Sequence, residues 1–248
     1  MKPLFITNST IPAAAMAPFA TIHTTTTMLH ARVTKALAAA NINGLEVEIA
    51  PNFVFGETNK TPEFLAKFPM GKIPALETPS GFYLAEGTAI AYYLADSGPK
   101  REQLLGRNAE ERALVQMWIG VSDSEIFPNM SAVLGPMLGR SEYVEKTVKD
   151  KEAAFVRALK RIESHLKGRK WLVDDAQLSL ADLSIAASLM WAFKFILDVE
   201  ARKEYPEVTS WYLRLLEQEG VKEAFGGAPV LCEVRRPPFV EQAHFNAH

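Results

Sequence analysis

The sequence predicts a small α/β domain followed by an all-α domain, and two observations carry that class. Over residues 21–98 the apolar period alternates between the strand and helix values, in the order strand, helix, strand, short helix, hairpin, helix. From residue 108 to the tail at residue 248 every periodic segment is helical. Between them "PKREQLLGRNAEE" is charged and aperiodic, and is read as a linker over 99–107.

Each element has a local reason. "ATIHTT" reads as a strand, and "MLHARVTKALAAAN" carries the helical spacing Leu29, Val33, Ala36/Leu37, Ala40, with Gly44 as a stop. "LEVEIA" alternates, Leu45, Val47 and Ile49 on one face and Glu46 and Glu48 on the other. In "TPEFLAKF", Thr61 caps a helix that opens with Pro62. "IPALET" and "FYLAE" flank the turn Pro79-Ser80-Gly81, a hairpin, and "GTAIAYYLADSG" is a helix closed by Gly98-Pro99. A right-handed βαβ unit gives a parallel pair, and the hairpin adds antiparallel strands to the same sheet. That is a thioredoxin-like arrangement. The second domain holds "AEERALVQMWIGVSDSEIF", "VEKTVKDKEAAFVRALKRIESHLKG", "SLADLSIAASLMWAFKFIL" and "YPEVTSWYLRLLEQEG". Ser179-Leu180-Ala181-Asp182 opens the third of these as a capping box and is read as structural.

Composition narrows the function. Lys and Arg number 27 against 29 Asp and Glu, a net charge of -2, which gives no electrostatic case for nucleic acid or an anionic membrane. The single Cys232 excludes an internal disulfide and a Cys-x-x-Cys redox pair, and fits a reducing compartment. The five histidines show no metal-ligand spacing beyond a His244/His248 pair assigned to the tail. The most apolar stretch carries Asp182 and Lys194, so it reads as a core helix and not a membrane span. Residues 1–20 lack the apolar run of a signal peptide and the arginines of a transit peptide; they read as a loose extension, and the expected location is cytoplasmic.

Pro74 is the informative oddity. Proline has no N–H, so it opens a strand, marks a turn or holds a cis bond, and beside it a backbone edge stays free for a peptide-like ligand. Gly87 opens the following helix, whose positive end suits a carboxylate, and Glu86 beside it suits an ammonium. A backbone edge, an anion pocket and an anion together match a zwitterionic tripeptide.

"ETNKTPEFLAKFPMGKIPALET…GFYLAEGTAIAYYLA" resembles the glutathione-binding half of the glutathione S-transferases, and most of all the transferase-like domain of elongation factor 1 gamma. "LLGRNAEERALVQMWIGVSDSEI", "LSLADLSIAASLMWAFKFIL" and "LCE" resemble the helical half, so the likeness covers residues 21–233. Stand-alone fungal transferases of secondary-metabolite pathways share it. The resemblance implies glutathione as cosubstrate, with Ile73-Pro74 pairing its cysteinyl backbone and Glu86 and Gly87 holding the γ-glutamyl end. It further implies Lys72 near the tripeptide and Asn59-Lys60 at the glycyl carboxylate. Two positions depart from the family pattern. Glu86 is followed by Gly87 where relatives carry serine, which removes a hydrogen bond worth about 1.5–3 kcal/mol. And "HTTTTMLH" stands where relatives place Tyr, Ser or Cys at the sulfur; Thr26, then Thr25 and Thr27, are the candidate donors, with His30 behind them.

The implied activity is thiolate addition to an electrophilic apolar substrate, ending in a conjugate or, after elimination, in a trans/cis isomer. The first long helix offers a substrate pocket of Trp118, Ser122 and Asp123, with Met117, Val121, Ser124 and Phe127 nearby. A homodimer is implied too. The alternative is a non-catalytic scaffold of the elongation factor 1 gamma type; "RRPPFVEQAHFNAH" shows no charged linker or further domain, which favours the enzyme.

Overall fold

The computed structural model describes residues 17–26 and 30–237. Thr27, residues 1–16 and the tail with His244 and His248 lie outside the described residues. Strand β1 (Ala20–His23) leads to helix α1 (Ala31–Ile42) and strand β2 (Val47–Ile49). A short 3-10 turn (Thr58–Lys60) precedes α2 (Pro62–Lys67), β3 (Ala75–Glu77), β4 (Tyr83–Ala85) and α3 (Gly87–Asp96). The sheet order is β2-β1-β3-β4, with β1 and β2 parallel and the other pairs antiparallel. This is the thioredoxin-like domain, on which a helical domain packs.

Helix α1 starts at Ala31, later than the apolar spacing suggests, because His30 is its cap and its ring accepts from the Arg32 N–H. Segment 99–107 is no bare linker. It contains α4 (Arg101–Leu105), whose Leu104 and Leu105 are buried. Helix α5 (Ala109–Val121) runs through one wide π-type turn (Ser122–Ile126) into α6 (Phe127–Met137). Sequence reading stops at Phe127 because "FPNMSAVLGPM" carries two prolines. Pro128 occupies the first turn, where no amide hydrogen is needed, and Pro136 the last.

The long α7 (Glu145–Leu166) buries Phe155, Leu159, Ile162 and Leu166 against the core. Helix α8 (Leu180–Phe195) is the axis of the domain, buried on nearly every side. Its capping box forms as read: Asp182 accepts from the Ser179 N–H at 2.9 Å and from its hydroxyl at 3.0 Å. The same carboxylate also accepts from the Leu172 N–H and the Trp211 indole, both at 2.9 Å. The short α9 (Val199–Glu204), α10 (Pro206–Leu216) and α11 (Val221–Ala224) close the domain.

Candidate functional site

Sheet register alone brings three chain segments together. Ala75 pairs with His23 on one side and Ala85 on the other. The next positions outward are therefore Thr24 and its successors after β1, Ile73-Pro74 before β3, and Glu86-Gly87 after β4. The Ile73-Pro74 bond is cis. Phe64 and Phe68 are buried against Ala75, with Phe53 and Ile73 packed on them, and this aromatic cluster seats the proline loop.

Three cavities adjoin at that edge and share lining residues. One of about 400 Å³ holds Arg32, Lys72, Ile73, Pro74, Glu86 and Gly87. A second, of about 760 Å³, continues from Lys72 and Ile73 to Thr25, Thr26, His30 and the apolar loop Phe53–Phe55. A third, of about 390 Å³, takes Thr25 and His30 from the second and adds Phe127, Met130, Leu134 and Trp191. The cleft thus runs from a charged end to an apolar end, and Thr25 and His30 stand at the junction.

Two further features shape it. Glu86 has φ 70, in the left-handed region that few non-glycine residues adopt, and its side chain caps nothing. His30 accepts the Arg32 N–H on Nδ1 at 3.3 Å, so its neutral ring carries the proton on Nε2. Burial, with a contribution from the Arg32 charge, lowers the His30 pKa below the usual histidine value. The ring therefore stays neutral at pH 7, an N–H donor at the junction.

Several residues foreseen in the sequence stand elsewhere. Trp118 is buried in the core beside His165, and Ser122 is buried with its hydroxyl on Ser184 and Ser188; neither lines the cleft, so both pocket assignments are corrected. Asp123 accepts from Thr88 at 2.7 Å and lies 3.4 Å from Lys35 Nζ. Lys35, nearly wholly buried, also donates to Thr88 at 2.8 Å, and burial lowers its pKa while Asp123 pulls the other way. This bridge ties α1, α3 and the π turn together below the cleft. Asn59 is buried, accepting from the Gly56 N–H at 2.6 Å and donating to the Gly71 carbonyl at 2.7 Å. It holds the loop that presents Lys72 and does not face the cleft; Lys60 lines none of the three cavities. Gly71 is required there, since its φ is 57 and a Cβ would lie 2.9 Å from the Asn59 carbonyl. Of the helix residues, Phe127 does reach the apolar cavity, while Met117 is exposed. Arg32, Met130, Leu134 and Trp191 were missed.

A cis-proline edge on a thioredoxin-like sheet, with a cleft closed by a helical domain, defines the glutathione transferase class. Residues 23–96 match the glutathione S-transferase N-terminal domain and residues 127–219 its C-terminal domain. The chain belongs to the glutathione S-transferase family. It is 48% identical over 221 residues to the glutathione S-transferase-like protein LUC7 of a Fusarium species, covering 89% of this chain and 99% of that one. It is 37% identical over 205 residues to elongation factor 1-gamma of Sus scrofa, covering 82% of this chain and 46% of that one, so it spans about half of that relative. Among solved structures, glutathione S-transferase I from mais in complex with an atrazine glutathione conjugate is 29% identical with a TM-score of 0.73, covering 84% of this chain and 97% of that one.

Proposed function

We propose that this chain is a glutathione-dependent transferase acting on an electrophilic, apolar fungal secondary metabolite. The observation that carries the reading is the junction: Thr25 and His30 line both the glutathione-sized end and the apolar end of one cleft. In this reading the cysteinyl backbone pairs with Ile73 beside Pro74, and Glu86 receives the γ-glutamyl ammonium. The sulfur lies between the cavities, within reach of Thr25 or the His30 Nε2–H. Thr26 lines only the glutathione side.

A thiolate held there adds to the β-carbon of an enone or polyenone, and the electron pair moves to the carbonyl oxygen. The former double bond is now single and rotates. Protonation at carbon gives a conjugate, whereas collapse of the enolate expels the thiolate and leaves a trans/cis isomer. Met130, Leu134, Phe127 and Trp191 supply apolar walls for the chain of such a substrate. The pathway class is that of fungal secondary-metabolite transferases, the pseurotin-pathway enzyme among them. We place the protein in the cytoplasm as a homodimer; exposed Phe82, Tyr92, Leu114 and Met117 are apolar surface available to a second copy.

The deciding measurement is glutathione titration calorimetry followed by a polyenone assay that counts free thiol. Heat at millimolar glutathione, and turnover that needs glutathione, are expected. Stoichiometric thiol loss identifies conjugation, and constant thiol identifies isomerisation. A second reading, a non-catalytic scaffold, is favoured by the identity to elongation factor 1-gamma and predicts neither heat nor turnover.

The donor at sulfur is tested by His30→Asp. Aspartate keeps the helix cap but has no proton to donate at pH 7, so stability stays within about 0.5 kcal/mol. The thiol pKa of bound glutathione, read from thiolate absorbance, is expected to rise by about one unit, which is about 1.4 kcal/mol. The wild-type cap has its own pH dependence. With the folded pKa depressed, the unfolded chain takes up a proton that the folded site resists. Stability is therefore lost as pH falls below about 6.5 and toward the lower folded value.

A further inference from the structure

We propose that Arg32 is the anion anchor of this cleft, holding the α-carboxylate of the γ-glutamyl unit in place of the missing hydroxyl at position 87. The inference rests on the glutathione reading above and assigns a residue to it.

The two positions interlock. A Cβ built on Gly87 would lie 2.6 Å from Arg32 Cβ, 3.1 Å from its Cγ and 3.2 Å from its Cδ. The space beside Gly87 is taken first by the Cβ of residue 32 and then by the next two methylenes of Arg32, so the arginine stem lies directly against the glycine. Arg32 lines the small cavity together with Lys72, Glu86 and Gly87. Among the described residues no carboxylate lies within ion-pair distance of the guanidinium. Its contact is the face of Phe127, 5.1 Å from the ring centroid. Ring stacking of this kind orients a planar guanidinium and leaves its N–H edge free for a carboxylate.

The neighbouring charge is complementary to a zwitterion. Glu86, exposed and uncapping, stands in the same cavity as Arg32, one acid and one base on either side of an amino-acid head. Bidentate guanidinium-carboxylate pairing is stronger and more directional than the single hydroxyl bond it replaces. The departure at Gly87 thus exchanges one anion contact for another. On this assignment the glycine leaves binding undiminished.

Titration calorimetry with two peptides tests this: glutathione, and γ-aminobutyryl-cysteinyl-glycine, which lacks only the carboxylate in question. Wild type is expected to prefer glutathione by about 30-fold, a factor in the range of one charge-assisted contact. Arg32→Gln should cut the preference below threefold by weakening glutathione alone, with its thermal midpoint checked against wild type. Gly87→Ser should bind glutathione poorly, and Arg32→Gly/Gly87→Ser, which also removes the Cβ that crowds position 87, should bind it better than Gly87→Ser alone. An unchanged preference in Arg32→Gln, including the case where only the bound thiol pKa rises, overturns the assignment and leaves the transferase reading standing. No glutathione heat from wild type overturns both.

Discussion

Asp182→Ala is expected to lower unfolding stability by about 4 kcal/mol, the largest loss from any single side chain here. The carboxylate is fully buried and accepts four hydrogen bonds, from Leu172, Ser179 twice and Trp211. Alanine leaves those donors buried without an acceptor. Each unpaired group costs about 1–3 kcal/mol, and partial relaxation keeps the total below their sum. Burial raises the Asp182 pKa against the pull of the four donors, so the position already spends energy on desolvation. That energy is what joins three parts of the chain: the start of α8, the loop at Leu172 and helix α10. Asp182→Asn keeps one acceptor oxygen but turns an amide donor toward other donors, and is expected to lose about half as much. Urea denaturation monitored by tryptophan fluorescence reads both values. A loss below about 1 kcal/mol for the alanine variant would show that the network is dispensable.

The second large effect is on binding. Glu86→Gly is expected to weaken glutathione binding by about 100-fold while leaving stability unchanged or raised by up to about 2.5 kcal/mol. Two terms set the sign. A non-glycine residue at φ 70, ψ 116 stores about 1–3 kcal/mol of strain, which glycine releases. Glycine gives back about 0.4–1 kcal/mol through the freer unfolded chain. Glu86→Gln separates strain from charge: it keeps the strained backbone and the shape, and loses only the anion. It should weaken binding nearly as much with no gain in stability. Calorimetric titration and thermal unfolding on the same samples decide it; equal binding by both variants and wild type would remove Glu86 from the site.

Legibility in the sequence followed how local each signal was. Pro74, Glu86 and Gly87 announce themselves within a few residues, as a proline opening a strand and a helix start behind an acid. The capping box at Ser179 and Asp182 is equally local, and its geometry is as read. The pocket was not local. The π turn at Ser122–Ile126 inserts an extra residue, and each residue on a helix turns the face by about 100°. Ser122 faces Ser184 and Ser188 in the core while Phe127 lines the cleft, and the π turn between them leaves no mark in the sequence from which either could be read. Asn59 was placed at the glycyl carboxylate by the family resemblance; that Gly56 and Gly71 use its amide follows only from the folded loop. Arg32 was invisible for the converse reason, since its significance lies in the space it takes from a glycine distant in the chain.

The ladder pairing Ala75 with both His23 and Ala85 has a consequence for how such a site changes over time. Position in the cleft is fixed by backbone hydrogen bonds, which no side-chain replacement touches, whereas sliding a strand by one residue would turn every inward side chain outward. Divergence is thus channelled: a side chain placed just after β1 is free to be a phenol, a hydroxyl, a thiol or an imidazole, and the backbone frame beside it is not free at all. A threonine-rich segment after β1 is one more setting of an exchangeable part in a rigid mount.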